Sequence, residues 1–159
     1  MSRTTEDTFT GAGGVAIYAR RWEPDDAPRG VVLVAHGYAE HLGRYGALAE
    51  HLTARRLAVA GIDHRGHGRS GGARGHCLDF GEYVADVRLL ADAAERWWPG
   101  RRRLLFGHSM GGLIALCYLL AHPDTVVAGA LSAPALRTPG AGGPVLRLLA
   151  RVLGRWTPR

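Results

Sequence analysis

The chain has no lysine: all twenty of its basic residues are arginine, against fourteen acidic ones, giving a formal net charge of +6 over 159 residues. Arginine recurs in every segment instead of gathering on one face. The excess therefore reads as a bias of the whole composition, and without interleaved aromatics or a base-reading motif it does not indicate a nucleic-acid binder. The densest run, Arg101–Arg103, precedes an apolar strand and reads as its solvated entrance. Cysteine is scarce. Only Cys77 and Cys117 are present, and Cys117 lies in the apolar run Leu113–Leu120, as expected of a small buried thiol in a reducing compartment. Long hydrophobic runs are missing too: the longest, Leu113 to Ala121, falls far short of the roughly 18 to 20 residues that span a bilayer. The start, Met1–Asp7, has no apolar stretch after its first positive charge and is not a secretory signal, so a cytoplasmic location is expected.

What is present is the composition of an ordinary globular chain, 47 % hydrophobic and 21 % charged, with length for one domain. Thr8–Thr10 and Val15–Trp22 flank four turn residues, three of them glycine, and predict a β-hairpin. The continuous apolar run Gly30–Ala35 predicts a strand buried on both faces, and Leu57–Ile62, Arg103–Phe106 and Val126–Ser132 are predicted as the further core strands. Helices are predicted between them at Tyr45–Arg56, Phe80–Trp98 and Met110–Ala121, the second ended by Pro99-Gly100. An antiparallel start followed by β-α alternation implies an α/β fold with a mostly parallel sheet.

The chemistry concentrates after the third core strand. Gly107-His108-Ser109-Met110-Gly111-Gly112 fits G-x-S-x-G, which chance also produces in a glycine-rich chain, but here it sits between an apolar strand and an apolar helix, as the motif requires. In such a turn a side chain two residues to either side of the serine would clash, so Gly107 and Gly111 leave space while Ser109 is held strained. The first free N–H groups of the following helix point toward the same spot. A second element, His36-Gly37-Tyr38-Ala39-Glu40-His41, follows the first core strand. It reads either as an ordinary turning loop or as the source of a second backbone donor, with His36 bracing it by hydrogen bonding. His64 and His67 lie in a glycine-rich loop without carboxylate or thiolate partners nearby, so no metal site is expected.

With Arg44-Tyr45 and Asp63-His64-Arg65-Gly66-His67-Gly68-Arg69-Ser70, these motifs resemble the monoacylglycerol lipase and lysophospholipase branch of the α/β hydrolases, also described as serine aminopeptidase-like. The resemblance runs from the hairpin to Ser132–Leu136. It implies a serine ester hydrolase without cofactor, acting through an acyl-enzyme on a small acyl ester or monoglyceride. In it Ser109 is the nucleophile, the backbone N–H groups of Tyr38 and Met110 form the oxyanion hole, and the Asp63–Ser70 loop shapes the cleft floor.

One departure is plain. The family's order is Ser, then Asp or Glu, then His, yet after Ser109 the chain offers only His122 and Asp124, reversed and at the far end of the helix that Ser109 begins. About twelve helical residues span roughly 18 Å, too far for either to reach Ser109. The expectation is thus a C-terminally truncated hydrolase, inactive as it stands, with residues 1–137 as the N-terminal part of the core and 138–159 as the start of a helical cap. Pro144–Trp156 predicts an amphipathic helix, Val145, Leu148, Leu149, Val152 and Trp156 on one face and Arg147, Arg151 and Arg155 on another, fit for a cap or a peripheral membrane contact. The other reading is a non-catalytic remnant that binds an acyl ligand or a partner. Substrate preference and oligomeric state are left open.

Overall fold

The computed structural model describes residues 3–136. The expectations for Pro144–Trp156 and for a cap from residue 138 lie outside them. Six strands form one sheet: β1 (Arg3–Thr10), β2 (Ala16–Glu23), β3 (Gly30–Ala35), β4 (Leu57–Ile62), β5 (Arg103–His108) and β6 (Ala128–Ser132), in the order β1-β2-β4-β3-β5-β6. β1 and β2 are antiparallel, β2 meets β4 antiparallel, and β4, β3, β5 and β6 run parallel. This is the α/β arrangement expected.

Among the described residues three α-helices cover the sheet: α1 (Gly46–Thr53), α2 (Gly81–Trp97) and α3 (Met110–Ala121). Val31 and Leu33 of β3 join Val87, Leu90 and Ala94 of α2 and Ile114 and Tyr118 of α3 in one core. Val32 and Val34 face the other way, into a smaller core with Trp22, Leu42 and Ala49. That two-sided burial is why β3 reads as an unbroken apolar run. The same covering brings the carboxyl ends of β3, β4 and β5 together.

Most boundaries agree with the sequence pattern, and the differences have local causes. β1 is eight residues long, not three, because its register with β2 sets polar residues opposite each other, Glu6 facing Arg20, and the Arg20–Glu6 ion pair closes at 2.7 Å. An exposed ribbon of this kind has no apolar signal. The helix predicted from Tyr45 to Arg56 begins with a 3₁₀ turn, Leu42–Tyr45, and is α-helical only over Gly46–Thr53. Its end tightens through Arg55 N–H to Leu52 O and Arg56 N–H to Thr53 O, and Arg56, at φ 60°, turns the chain into β4. Cys77 and Cys117 are free thiols, and Cys117 is half-buried, less covered than its apolar run suggested. No helix among the described residues is long and apolar enough to cross a membrane.

Candidate active site

Ser109 sits between β5 and α3 at φ 52°, ψ −116°, a conformation that L residues rarely adopt. The surroundings over-determine it. Its N–H donates to Ser132 O at 2.9 Å, and its carbonyl accepts from Ala135 N–H at 3.0 Å and Leu113 N–H at 3.2 Å. The end of β6 and the loop after it thus grip both sides of Ser109, a role for Ser132–Ala135 that no sequence pattern announced. His108 Nδ1 adds a contact of 3.1 Å to Ser132 Oγ.

The two glycines are explained by what lies around them. A Cβ on Gly107 would stand 2.7 Å from the Gly111 carbonyl carbon and 2.9 Å from Ala115 Cβ. One on Gly111 would strike the carbonyl oxygens of Ala35 and His36. Close approach of α3 to the ends of β5 and β3 is therefore possible only without side chains at both positions. Met110, the first residue of α3, has an N–H with no intrahelical acceptor four residues back.

The loop after β3 lies directly against this turn. A Cβ on Gly37 would be 3.4 Å from Ser109 Cβ. His36, buried at the head of the loop, accepts the His64 N–H at Nε2 (2.9 Å), so its Nδ1 carries the proton and donates to Gly37 O at 2.8 Å. Burial drives its pKa down to about 4, against the opposing pull of the bond to Gly37 O, which keeps the ring neutral. His36 is thus the brace the sequence suggested. Tyr38 is exposed, with its ring edge-on to His67 (centroids 5.4 Å apart) and its hydroxyl directed at Gly75 O, 3.4 Å away.

Beneath this loop runs Asp63–Ser70. Asp63 Oδ1 accepts the Leu42 N–H at 2.6 Å and Oδ2 the Arg69 N–H at 2.7 Å, tying three segments together. Ser70 Oγ accepts the Tyr18 N–H at 2.8 Å and donates to Asp63 O. Arg65 makes a two-pronged bond to the buried Asp86 of α2, at 2.7 and 2.8 Å, and reaches Glu82 at 3.0 Å. His64 is wholly enclosed, which pushes its pKa well below the ordinary histidine value, and the neighbouring His36 and His67 push the same way. The His36 and His64 rings lie 4.3 Å apart. Among the described residues no group of histidines, cysteines and carboxylates is arranged to hold a metal ion.

His122 and Asp124 are far from all this. His122 follows the last residue of α3, its ring against Tyr118 (4.9 Å) and its Nδ1 3.5 Å from the Arg88 guanidinium. The twelve residues of α3 separate it from Ser109.

A strained serine between two obligatory glycines, at the carboxyl ends of parallel strands, is the geometry to compare with known proteins. The family described as serine aminopeptidase S33 matches residues 26–159. This chain belongs to that family. Relatives agree with the assignment: the monoacylglycerol lipase of Mycolicibacterium smegmatis is 46 % identical over 157 residues, covering 99 % of this chain and 56 % of that protein. The crystal structure of a Paleococcus ferrophilus monoacylglycerol lipase superposes with a TM-score of 0.76 at 35 % identity, covering 89 % of this chain and 52 % of the other. A thermostable carboxyl esterase from Bacillus coagulans, solved with glycerol, gives a TM-score of 0.85 at 26 % identity, covering 98 % and 52 %. The chain spans about half the length of the relatives it matches. It is an α/β hydrolase by fold and a member of a hydrolase family by sequence.

Proposed function

We propose that Ser109 is the nucleophile of a serine ester hydrolase acting on monoacylglycerol-type esters. The observation that carries this reading is the backbone of Ser109, held at φ 52° between Gly107 and Gly111 with Gly37 packed against it. Such a turn lifts a hydroxyl into the cleft at the strand ends. In the proposed reaction Ser109 Oγ adds to the ester carbonyl while its proton passes to a base. The N–H groups of Tyr38 and Met110 hold the oxyanion, the alcohol leaves, and water then releases the acid from the acyl-enzyme. Planarity of the trans peptide supports the role of Tyr38. With Gly37 O turned to His36, the Tyr38 N–H on the same peptide points away from His36. The names of the relatives support an acyl ester of glycerol as substrate. A lysophospholipid is the alternative kept from the motifs.

The base is assigned to no residue of this chain, because His122 and Asp124, the only histidine and aspartate after Ser109, stand at the wrong end of α3. Loss of the catalytic histidine from a serine hydrolase costs about a millionfold in turnover, so the 159-residue polypeptide by itself is expected to be nearly inactive. The same observation favours a second reading, a non-catalytic acyl-binding protein. Labelling separates the two. On prolonged exposure to an alkyl fluorophosphonate, Ser109 Oγ displaces fluoride from phosphorus and loses its proton to solvent. One slow adduct at Ser109, absent from Ser109→Ala, is expected in mass spectra. An equal adduct in Ser109→Ala contradicts a nucleophilic serine.

A further inference from the structure

Gly37 poses a physical problem. Its missing side chain lets the loop approach Ser109, but a glycine also lets the peptide that follows it rotate freely, carrying the Tyr38 N–H away from the site. Two side chains limit that freedom by fixing the peptides on either side of the Gly37 Cα. His36 Nδ1–H holds the carbonyl, as described. On the other side, Glu40 Oε2 accepts the Gly37 N–H at 3.0 Å, and the Glu40 N–H closes a turn on Gly37 O at 3.3 Å. The carboxylate is itself fixed, by the Tyr45 hydroxyl donating at 3.0 Å and by Arg44 Nε 3.5 Å from Oε1. Its side chain is only 18 % exposed, whereas that of Arg44 is 64 % exposed. Ala39, at φ 56°, takes a strained conformation in the turn that folds Glu40 back onto Gly37.

We propose that Glu40 is a positioning residue for the oxyanion hole: its carboxylate holds the His36–Gly37 peptide by the Gly37 N–H while His36 and the Glu40 N–H hold the Gly37–Tyr38 peptide by Gly37 O, so that both peptides flanking Gly37 are fixed beside Ser109. It acts through the backbone and touches no substrate. Burial pushes the Glu40 carboxyl up, but the Gly37 N–H, the Tyr45 hydroxyl and Arg44 outweigh it, so the group stays ionised with a pKa below the usual carboxylate value. The inference rests on the reading of Ser109 as nucleophile.

The test separates reach from charge. Glu40→Gln keeps an acceptor at the same length without charge, and Glu40→Asp keeps the charge but is one methylene too short for the Gly37 N–H. Phosphonylation of Ser109 in the 159-residue chain is followed as a maximal rate and a half-saturating concentration, alongside hydrogen exchange of the Gly37 amide by NMR. Misplacing one oxyanion donor costs on the order of a hundredfold in rate. The expected result is a loss of that order in Glu40→Asp with half-saturation unchanged and Gly37 exchange accelerated, while Glu40→Gln stays within about fivefold of the parent. Tyr45→Phe, which removes one donor from the carboxylate, is expected to lose about threefold, and it carries the test if Glu40→Asp does not fold. Equal rates in all variants, or loss in Glu40→Gln matching Glu40→Asp, overturn the positioning role. A raised half-saturation with an unchanged maximal rate also overturns it, assigning Glu40 to ligand contact. Gly37 exchange unaltered in Glu40→Asp overturns the proposal whether or not Ser109 labels, whereas an equal adduct in Ser109→Ala overturns the reading of Ser109 as nucleophile.

Discussion

The loop after β4 and the strand β6 invert the usual rule of inside and outside. Asp63, His64, Arg65, His67 and Ser70 are all at most 4 % exposed, while Ala128, Gly129, Ala130 and Leu131 all lie exposed. The charged loop is buried because each charge has a specific answer: Arg65 has Asp86 and Glu82, and Asp63 has two backbone N–H groups. The apolar strand is held on one edge only, by its parallel ladder to β5, and no strand among the described residues pairs with its other edge. One region is completed by side-chain partners within the described residues. The other takes its order from β5 and from the grip of Ser132 on Ser109. Rigidity on the β3–β4 side and dependence on neighbours on the β6 side are thus built from different interactions.

If that contrast is right, the largest effect comes from breaking an answer inside the charged loop. Asp86→Ala leaves Arg65 buried with only the partly exposed Glu82, and a loss of about 3 to 5 kcal/mol in urea unfolding is expected. A change under 1 kcal/mol would mean the loop does not rely on its ion pair. Next comes the seam between the two regions. Gly111→Ala drives a methyl into the Ala35 and His36 carbonyls, so a destabilisation of about 1 to 3 kcal/mol is expected, together with loss of Ser109 labelling.

Acid offers a gentler probe of the buried side. His36 is neutral in the fold with a pKa near 4, and His64 is depressed in the same direction. The unfolded chain takes up those protons near the ordinary value of about 6.5 and the folded chain does not, so stability falls as pH drops from 6.5 toward 4 and is fully present above that window. His36 alone is expected to account for a loss of about 2 kcal/mol between pH 7 and 4.5, with His64 adding to it, so that His36→Gln reduces the loss read from denaturant midpoints at stepped pH without abolishing it. A flat profile would place these histidines in contact with water. The smallest effect belongs to the exposed side: Leu120→Ser, at a residue 76 % exposed on α3, is expected to change stability by less than about 0.5 kcal/mol. A larger loss would show the face covered in solution, for which sedimentation gives an independent reading.

Much of this arrangement was legible before any coordinates. β4 and α3 run over the residues that the apolar pattern marked, and Ser109, Gly107 and Gly111 stand together as the motif implied. These features are local, set by runs of apolar residues or by a turn a few residues long. What could not be read depends on contacts between distant segments. The bond from Arg65 to Asp86 joins residues 21 apart, and nothing in either neighbourhood marks the pair. The hold of Ser132 and Ala135 on Ser109 runs through backbone atoms, which any residue type supplies. Glu40 lies within the motif His36–His41, but its partner is the N–H of Gly37, visible only once the turn at Ala39 is known.

The most direct test of the account is hydrolysis of p-nitrophenyl butyrate by the 159-residue chain, measured beside Ser109→Ala. If Ser109 is the nucleophile and the acid and base of the triad come from none of these residues, only a residual rate is expected, about a millionfold below that of a complete triad and little changed by the substitution. Rapid turnover abolished by Ser109→Ala would contradict it, showing that a base for Ser109 lies among these residues after all.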